Sequence, residues 1–562
     1  MKNKKFIYIL PCLLLTMSSC SNKKGKDITY TKYETSTVEF NDFSDPNDKN
    51  FDKSLYYRND LNQDMGDPMM VYHNNKFYAY GTYDTTKIWC FSSDNLTDWT
   101  KEGACFTPEI DSWSKRNIWA PDLQYINGKW YMYYTAEYID KDDNSSHCQL
   151  GVAVGDSPNG EFKQYVGKNA DNQNITLETP PFLFKGVTIL DQHVFQDDDG
   201  QLYMYFSIDT RTFKDDRNKG VQEIYGAKMK DPVTVDFSTL TRLLAPGYKK
   251  VTDEKRTIEW ETWSPSFAND MECLEGPYMI KKNGKYYLTY VANSYVDTEY
   301  AVGYAVSDSP LGEYIKPDST YLENLLLGVP GQTGTYINTR YLGFQTGTGH
   351  ASICKVGDEY MFAYHAHMNR DKWGAKEDEY GEKSKYRALG VDYLYFDKDG
   401  KPYTNGPTYS LTRLPSVVSG YKNIALDATF KSDGLNLEYL NDNYTNRAYN
   451  TDEVSKETKF TKGKHVIEIK FDSVKEIKAV NVFNSCNYKK IIKYINQIDF
   501  GNNNGVTNIL FNSNYINNDM NFVFPHASLV CDLNATVKTD RIVIEIENNI
   551  DFALGEIEIL GR

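Results

Sequence analysis

Three acidic residues each open a similar stretch of the chain. Asp67 stands in "GDPMMVYHNNKFYAYG", Asp191 in "LDQHVFQDDDGQLYMYFS" and Glu275 in "LEGPYMIKKNGKYYLTY". Each acid leads a short hydrophobic run, then a tight-turn dipeptide (Asn74-Asn75, Asp199-Gly200, Asn283-Gly284), then an aromatic-rich alternating run. That order is the pattern of a β-hairpin whose turn favours positive φ. Carboxylates at one point of three repeated hairpins converge on a common axis if the hairpins are set radially. Two carboxyl groups flanking a glycosidic bond can hydrolyse it. One, kept protonated, donates to the leaving oxygen, and the other, ionised, deprotonates a water; a gap of about 6.5–9.5 Å admits that water and inverts configuration. A third carboxylate raises the acid's pKa by like-charge repulsion.

The elements that must position these acids repeat five times. The returning strands read "KFYAYG", "KWYMYYT", "QLYMYFS", "KYYLTY" and "EYMFAYH", preceded by strands that start near Asp67, Asp122, Asp191, Glu275 and His350. Loops such as "SSDNLTDW", "GDSPNGEF" and "SDSPLGEY" follow, and helical periodicity is nearly absent from Tyr56 to Thr412. The region 55–415 therefore predicts an all-β, five-bladed β-propeller with four strands per blade, whose inner strands line a central channel. Asp122 occupies what reads as the equivalent point of the second blade, as a structural or secondary acid. After Tyr421 tryptophan disappears and asparagine and lysine rise. Alternating strands there ("KHVIEIKFDSVKEIKAVNVF", "DRIVIEIENNIDFALGEIEILGR") predict a β-sandwich (jelly roll) over 421–562.

The formal charge of −15, with no basic cluster, argues against nucleic acid as a partner. Tyrosine, with 45 copies, is the compositional outlier, as expected of half-buried strand surfaces. Lys2, Lys4 and Lys5 precede an apolar stretch from Phe6 to Met17, too short for a stable membrane span, and Ser18-Ser19-Cys20 follows. Residues 1–20 thus read as a lipoprotein signal peptide with Cys20 the lipidated residue, and 21–54 as a polar tether. The expected location is the bacterial cell envelope, anchored by lipid to the outer membrane, facing either the periplasm or the outside. Seven cysteines remain after Cys12 and Cys20, without a disulfide or zinc spacing, although Cys486 and Cys531 could pair.

The propeller resembles glycoside hydrolase family 43 through "GDPMMVYHNNKFYAYGT", "WAPDLQYINGKWYMYYT", "ILDQHVFQDDDGQLYMYFS", "LEGPYMIKKNGKYYLTY" and "GTGHASI". The resemblance implies Asp67 as general base, Glu275 as general acid and Asp191 as the residue that orients the acid and tunes its pKa. It further implies Trp119 as an aromatic wall of the sugar pocket and Arg387 as a contact to sugar hydroxyls and the acid cluster. His350 would face the channel, where related propellers often hold a structural calcium ion; no cofactor is required for the chemistry. Gln192 departs from the family's frequent proline after the third-blade aspartate. The tail is similar to discoidin-type, galactose-binding-like domains.

The implied activity is an inverting glycoside hydrolase acting on arabinose- or xylose-containing polysaccharides or oligosaccharides, as an exo-acting α-L-arabinofuranosidase or β-xylosidase. One alternative is a retaining β-fructosidase-like enzyme, suggested by Glu272-Cys273 in "ECLEGP", although that group's "NDPNG" and "RDP" patterns are missing. Another is a lipid-anchored glycan-binding protein without catalysis. Insertions around Asp140 to His147, Thr210 to Gly220, Gly247 to Phe267 and Asn369 to Lys385 could wall one side of the mouth. In the tail, Tyr444, Tyr449 and Tyr488 are the aromatics that could stack on a sugar.

Overall fold

The computed structural model describes residues 38–42, 50–210, 220–264, 271–297, 299–318, 325–328, 345–368, 387–445, 455–517, 522–524 and 526–562. The signal peptide, most of the tether, the Asn369 to Lys385 insertion, Tyr449 and parts of two other insertions lie outside these residues. No helix among the described residues is long and apolar enough to cross a membrane.

Period-two alternation with β-branched and aromatic residues builds antiparallel strands rather than helices. Blade one runs Gly66–His73, Lys76–Asp84, Lys87–Ser93, Thr100–Phe106, and blade two Trp119–Ile126, Lys129–Ile139, Ser146–Gly155, Lys163–Gln164. Blade three runs Thr188–Gln196, Leu202–Asp209, Gly220–Asp231, Thr234–Leu244. Blade four has Met271–Lys282, Lys285–Ala292 and Ala301–Ser307, its edge completed by a bridge from Val306 to Ile315. Blade five runs Gln345–Val356, Glu359–Met368, Ala388–Phe396, Pro402–Tyr403. The first strands of successive blades touch in a closed ring, which makes them the channel lining.

Hairpin turns at Asn74-Asn75 and Asn283-Gly284 have positive φ at both residues, as two-residue turns require. The third-blade hairpin differs. Gln196 pairs with Leu202, so a five-residue loop replaces the expected Asp199-Gly200 turn, and of that dipeptide Gly200 alone has positive φ.

Apolar clusters fill each space between neighbouring blades. Tyrosines are their main currency: Tyr80, Tyr133 and Tyr205 are buried, and their hydroxyls donate to the carbonyls of Pro158, Pro232 and Pro310. A phenol ring fills the gap while its tip satisfies a loop carbonyl. The ring closes where Tyr56–Tyr57 pairs with Thr412–Arg413, and Met65 N–H donates to the Arg387 carbonyl at 2.7 Å.

The tail is a β-sandwich. Two long strands, Gly463–Asn484 and Ser528–Asn548, pair antiparallel with register shifts near Lys470–Lys475 and Ile477–Ala479. Such bulges bend a strand. Ile467, Val480, Ile498, Ile544 and Ile557 are among the residues of its core. The sandwich is seated on the propeller's closure. Phe51, Leu55, Tyr56 and Leu411 pack against Ala479, Val530 and Leu560, and Tyr56 Oη donates to Asn481 Oδ1 at 2.9 Å. Tyr444 packs against Tyr403 of blade five (ring centroids 5.6 Å apart). The seven cysteines among the described residues are thiols, so the Cys486–Cys531 disulfide does not form.

Candidate active site

Every inner strand carries a register shift at the same place, after Gly66, Trp119, Leu190, Glu275 and Gly349. The next residue in each case, Asp67, Ala120, Asp191, Gly276 or His350, has φ between 45° and 56°. A bulge re-aims a side chain and is common beside active sites, and aspartate tolerates this left-handed backbone better than most residues.

This register corrects two expectations. Asp67, Asp191 and His350 are equivalent, but Glu275 stands one residue earlier, at the position of Trp119 in blade two. Asp122 is two residues past Ala120, the residue that does occupy the equivalent point. It is buried, bonding the Val194 N–H (2.9 Å) and His193 Nδ1 (3.1 Å), which ties blade two to blade three.

Asp67, Asp191, Glu275, His350, Trp119 and Arg387 all line one cavity of about 400 Å³, together with Tyr83 and Tyr295. That is the size of a small-ligand site. The sequence-derived residues therefore converge. The described parts of the insertions are not among its lining residues.

Asp67 is held by cations and a hydroxyl. Its Oδ1 receives Arg387 Nη1 at 2.7 Å and lies 3.2 Å from His350 Nδ1, while Oδ2 receives the Thr82 hydroxyl at 2.6 Å. Burial alone would raise this carboxyl. Arg387, then His350, His365 and Thr82, outweigh it and hold Asp67 well below the usual carboxylate range. Gly66 makes the approach possible, since a Cβ there would sit 2.1 Å from the guanidinium carbon. Arg387 also lies over the Tyr295 ring, 4.8 Å from its centroid.

Asp191 goes the other way. Burial first, then the charges of Glu275 and Asp67, push its carboxyl well above the ordinary value, only partly opposed by the Gly276 N–H and Arg387. Glu275 accepts from Tyr300 Oη at 2.6 Å and Gln222 Nε2 at 3.2 Å. One cavity thus holds carboxyl groups in opposed electrostatic surroundings, the arrangement that lets one act as acid and another as base at a single pH.

Thr82, Tyr295, Tyr300, His365 and Gln222 were not identified from the sequence. A signal for two of them was present. The seventh residue of each returning strand is Thr82, Thr135, Ser207, Val291 or His365. In three blades it takes the N–H of the next blade's bulge residue: Thr82 from Ala120 (3.0 Å), Thr135 from Asp191 (3.0 Å), His365 Nδ1 from Asp67 (3.2 Å). At blade four the Gly276 N–H goes to the Asp191 carboxyl instead. Gln192 adds to this ring, its amide donating to the Ala120 carbonyl at 2.8 Å and accepting from Thr135 at 3.2 Å. The departure from proline becomes a tie between blades.

Among the described residues no group of three or more His, Cys, Asp or Glu side chains is arranged to hold a metal ion. His350 Nδ1 faces the carboxylates of Asp67 (3.2 Å) and Asp191 (3.8 Å). Calcium takes six to eight oxygen ligands, so an ion beside His350 would draw most of them from water. Glu272, the candidate acid of the β-fructosidase-like alternative, is ion-paired with Arg256 and is not among the cavity's lining residues.

Carboxyl groups gathered in opposed settings at one mouth of a five-bladed propeller suit the cleavage of a glycosidic bond. The sequence profile of glycosyl hydrolases family 43 matches residues 57–402, and the chain belongs to that family. It is a glycoside hydrolase. It is 29% identical over 372 residues to Xylosidase/arabinosidase 43A of Humicola insolens, covering 61% of this chain and 96% of that protein. It is 28% identical over 304 residues to a β-xylosidase of Xylanibacter ruminicola, covering 50% and 85%. A thermostable family-43 glycoside hydrolase of known crystal structure aligns with a TM-score of 0.48 and 28% identity, over 63% of this chain and 97% of that one.

Proposed function

We propose that the enzyme removes arabinose or xylose residues from plant-type polysaccharides or oligosaccharides with inversion, with Asp67 the general base, Glu275 the general acid and Asp191 the residue that tunes the acid. The observation that carries this reading is the opposed setting of two carboxyl groups in one cavity: Asp67 kept ionised beside Arg387, Asp191 pushed up beside Glu275. Relatives named for xylosidase and arabinosidase activity support the choice of sugar. In the reaction the Glu275 proton passes to the glycosidic oxygen as the C1–O bond breaks and its electron pair leaves with that oxygen. Water forms the new bond to C1 from the opposite face and gives its proton to Asp67. Trp119 walls the sugar site.

Nuclear magnetic resonance of the first-formed anomer, with aryl α-L-arabinofuranoside and aryl β-D-xyloside, tests the reading; a retained product would sink it. Glu275→Ala is expected to cost roughly 10²- to 10⁴-fold, the usual range of acid–base assistance. The loss should shrink on aryl glycosides whose leaving oxygen needs little protonation.

The tail reads as a discoidin-like module that braces the propeller, supported by its apolar seat on the closure strands. The whole is read as a lipoprotein anchored through Cys20 in the bacterial envelope. Cys20→Ala should move it to the soluble fraction, and continued membrane association would refute the anchor.

A further inference from the structure

The acid is held by a buried tyrosine of its own blade. Tyr300 is fully buried and donates from its hydroxyl to Glu275 Oε1 at 2.6 Å. Its ring lies parallel to the His365 imidazole, with centroids 5.3 Å apart and an interplanar angle of 9°. His365, itself fully buried, accepts the Asp67 N–H on Nδ1 at 3.2 Å, so its ring proton is on Nε2. Two buried rings in contact therefore connect the acid of blade four with the backbone of the base in blade one. Gly349 makes room for them, since a Cβ there would lie 2.2 Å from the Tyr300 ring. Gln222 Nε2 at 3.2 Å and Cys273 Sγ at 3.5 Å occupy the other side of the carboxyl, at Oε2.

We propose that Tyr300 is a positioning residue for the general acid, fixing the Glu275 carboxyl against the His365 ring and strengthening its hydrogen bond as that carboxyl becomes a carboxylate. The proposal rests on the assignment of Glu275 as the acid. A hydroxyl bonded to a neutral carboxyl makes an ordinary hydrogen bond, and one bonded to a carboxylate is roughly twice as strong. As the Glu275 O–H bond breaks and its proton passes to the leaving oxygen, negative charge grows on the carboxyl. The Tyr300 bond therefore stabilises the transition state more than the ground state, which is what lowers a barrier. Burial, then the neighbouring Glu275, push the Tyr300 phenol well above its ordinary range, so the hydroxyl keeps its proton and remains the donor. The stack on His365 and the space at Gly349 hold the ring so that this donor is already in place.

Tyr300→Phe tests this, because it keeps the ring and its stack and removes only the hydroxyl. kcat and KM are measured separately on aryl glycosides of graded leaving-group acidity, beside Glu275→Ala. The expected result is a fall in kcat on the order of tenfold for the poorest leaving group, fading toward dinitrophenyl glycosides, with KM unchanged. A uniform loss across leaving groups, while Glu275→Ala remains leaving-group dependent, overturns the proposal and leaves the acid assignment standing. No leaving-group dependence in Glu275→Ala removes both. Gly349→Ala is the second variant, guarding against a folding defect in the first. It drives the ring off Glu275 with the hydroxyl still present, and must show the same leaving-group dependence; wild-type kinetics would overturn the proposal.

Discussion

Replacing Arg387 with methionine should move the acidic limb of the pH profile upward. The Arg387 Nη1–Asp67 Oδ1 contact is 2.7 Å, between side chains only 14% and 11% exposed, so solvent and salt screen it little. A hydrogen bond to a charged group contributes about 1.5–3 kcal/mol. Since one pKa unit corresponds to about 1.36 kcal/mol, losing Arg387 should raise the Asp67 carboxyl by about one to two units. The direction follows from what remains: burial, the largest influence and an upward one, is then opposed only by His350, His365 and Thr82. In the native protein the depressed value keeps the base ionised at low pH. In Arg387→Met activity would be lost earlier as pH falls. The same depression means that the ion pair stabilises the fold above the unfolded carboxyl's pKa of about 4, and that this contribution is lost as pH falls through the lower folded value. The assay is kcat/KM against pH on an aryl glycoside. An acidic limb that superimposes on the native one, with a raised KM, would refute this reasoning and make Arg387 a sugar contact instead.

Asp191→Asn should move the basic limb down. Burial and the charges of Glu275 and Asp67 push the Asp191 carboxyl up, and the amide removes that acid from beside Glu275; a profile changed only in scale would leave Asp191 a positional role. Truncation after Ser416 should lower the thermal midpoint or leave the propeller insoluble, because it bares Phe51, Tyr56 and Leu411 and removes Glu558 from beside the buried Arg413. A truncated propeller of unchanged midpoint that no longer binds polysaccharide would make the tail a binding module.

The five repeats were legible in the sequence because strand period and turn chemistry are local. "KFYAYG" to "EYMFAYH" announce the blades before any contact is known, and the joint presence of Asp67, Asp191, Glu275 and "GTGHASI" points to one mouth. The chemistry of those side chains was likewise readable from their types and order. Only the tertiary structure decided the register. Glu275 looks like the counterpart of Asp67 in the text, yet the bulge places Gly276 there, and Asp122 is turned into a bond between blades. A bulge adds one residue without changing the hydrophobic pattern, so position in a string cannot reveal it. The partners of the acids were also beyond the sequence. Tyr300 lies 25 residues from Glu275, and His365 lies 298 from Asp67. The His365 pair comes from closure of the ring, which brings the last blade against the first, whereas the Tyr300 pair forms within blade four, where the residue leading into its third strand meets its first. The electrostatic opposition between Asp67 and Asp191 has the same origin: two aspartates of one register differ because Arg387 arrives beside one, and Glu275 beside the other.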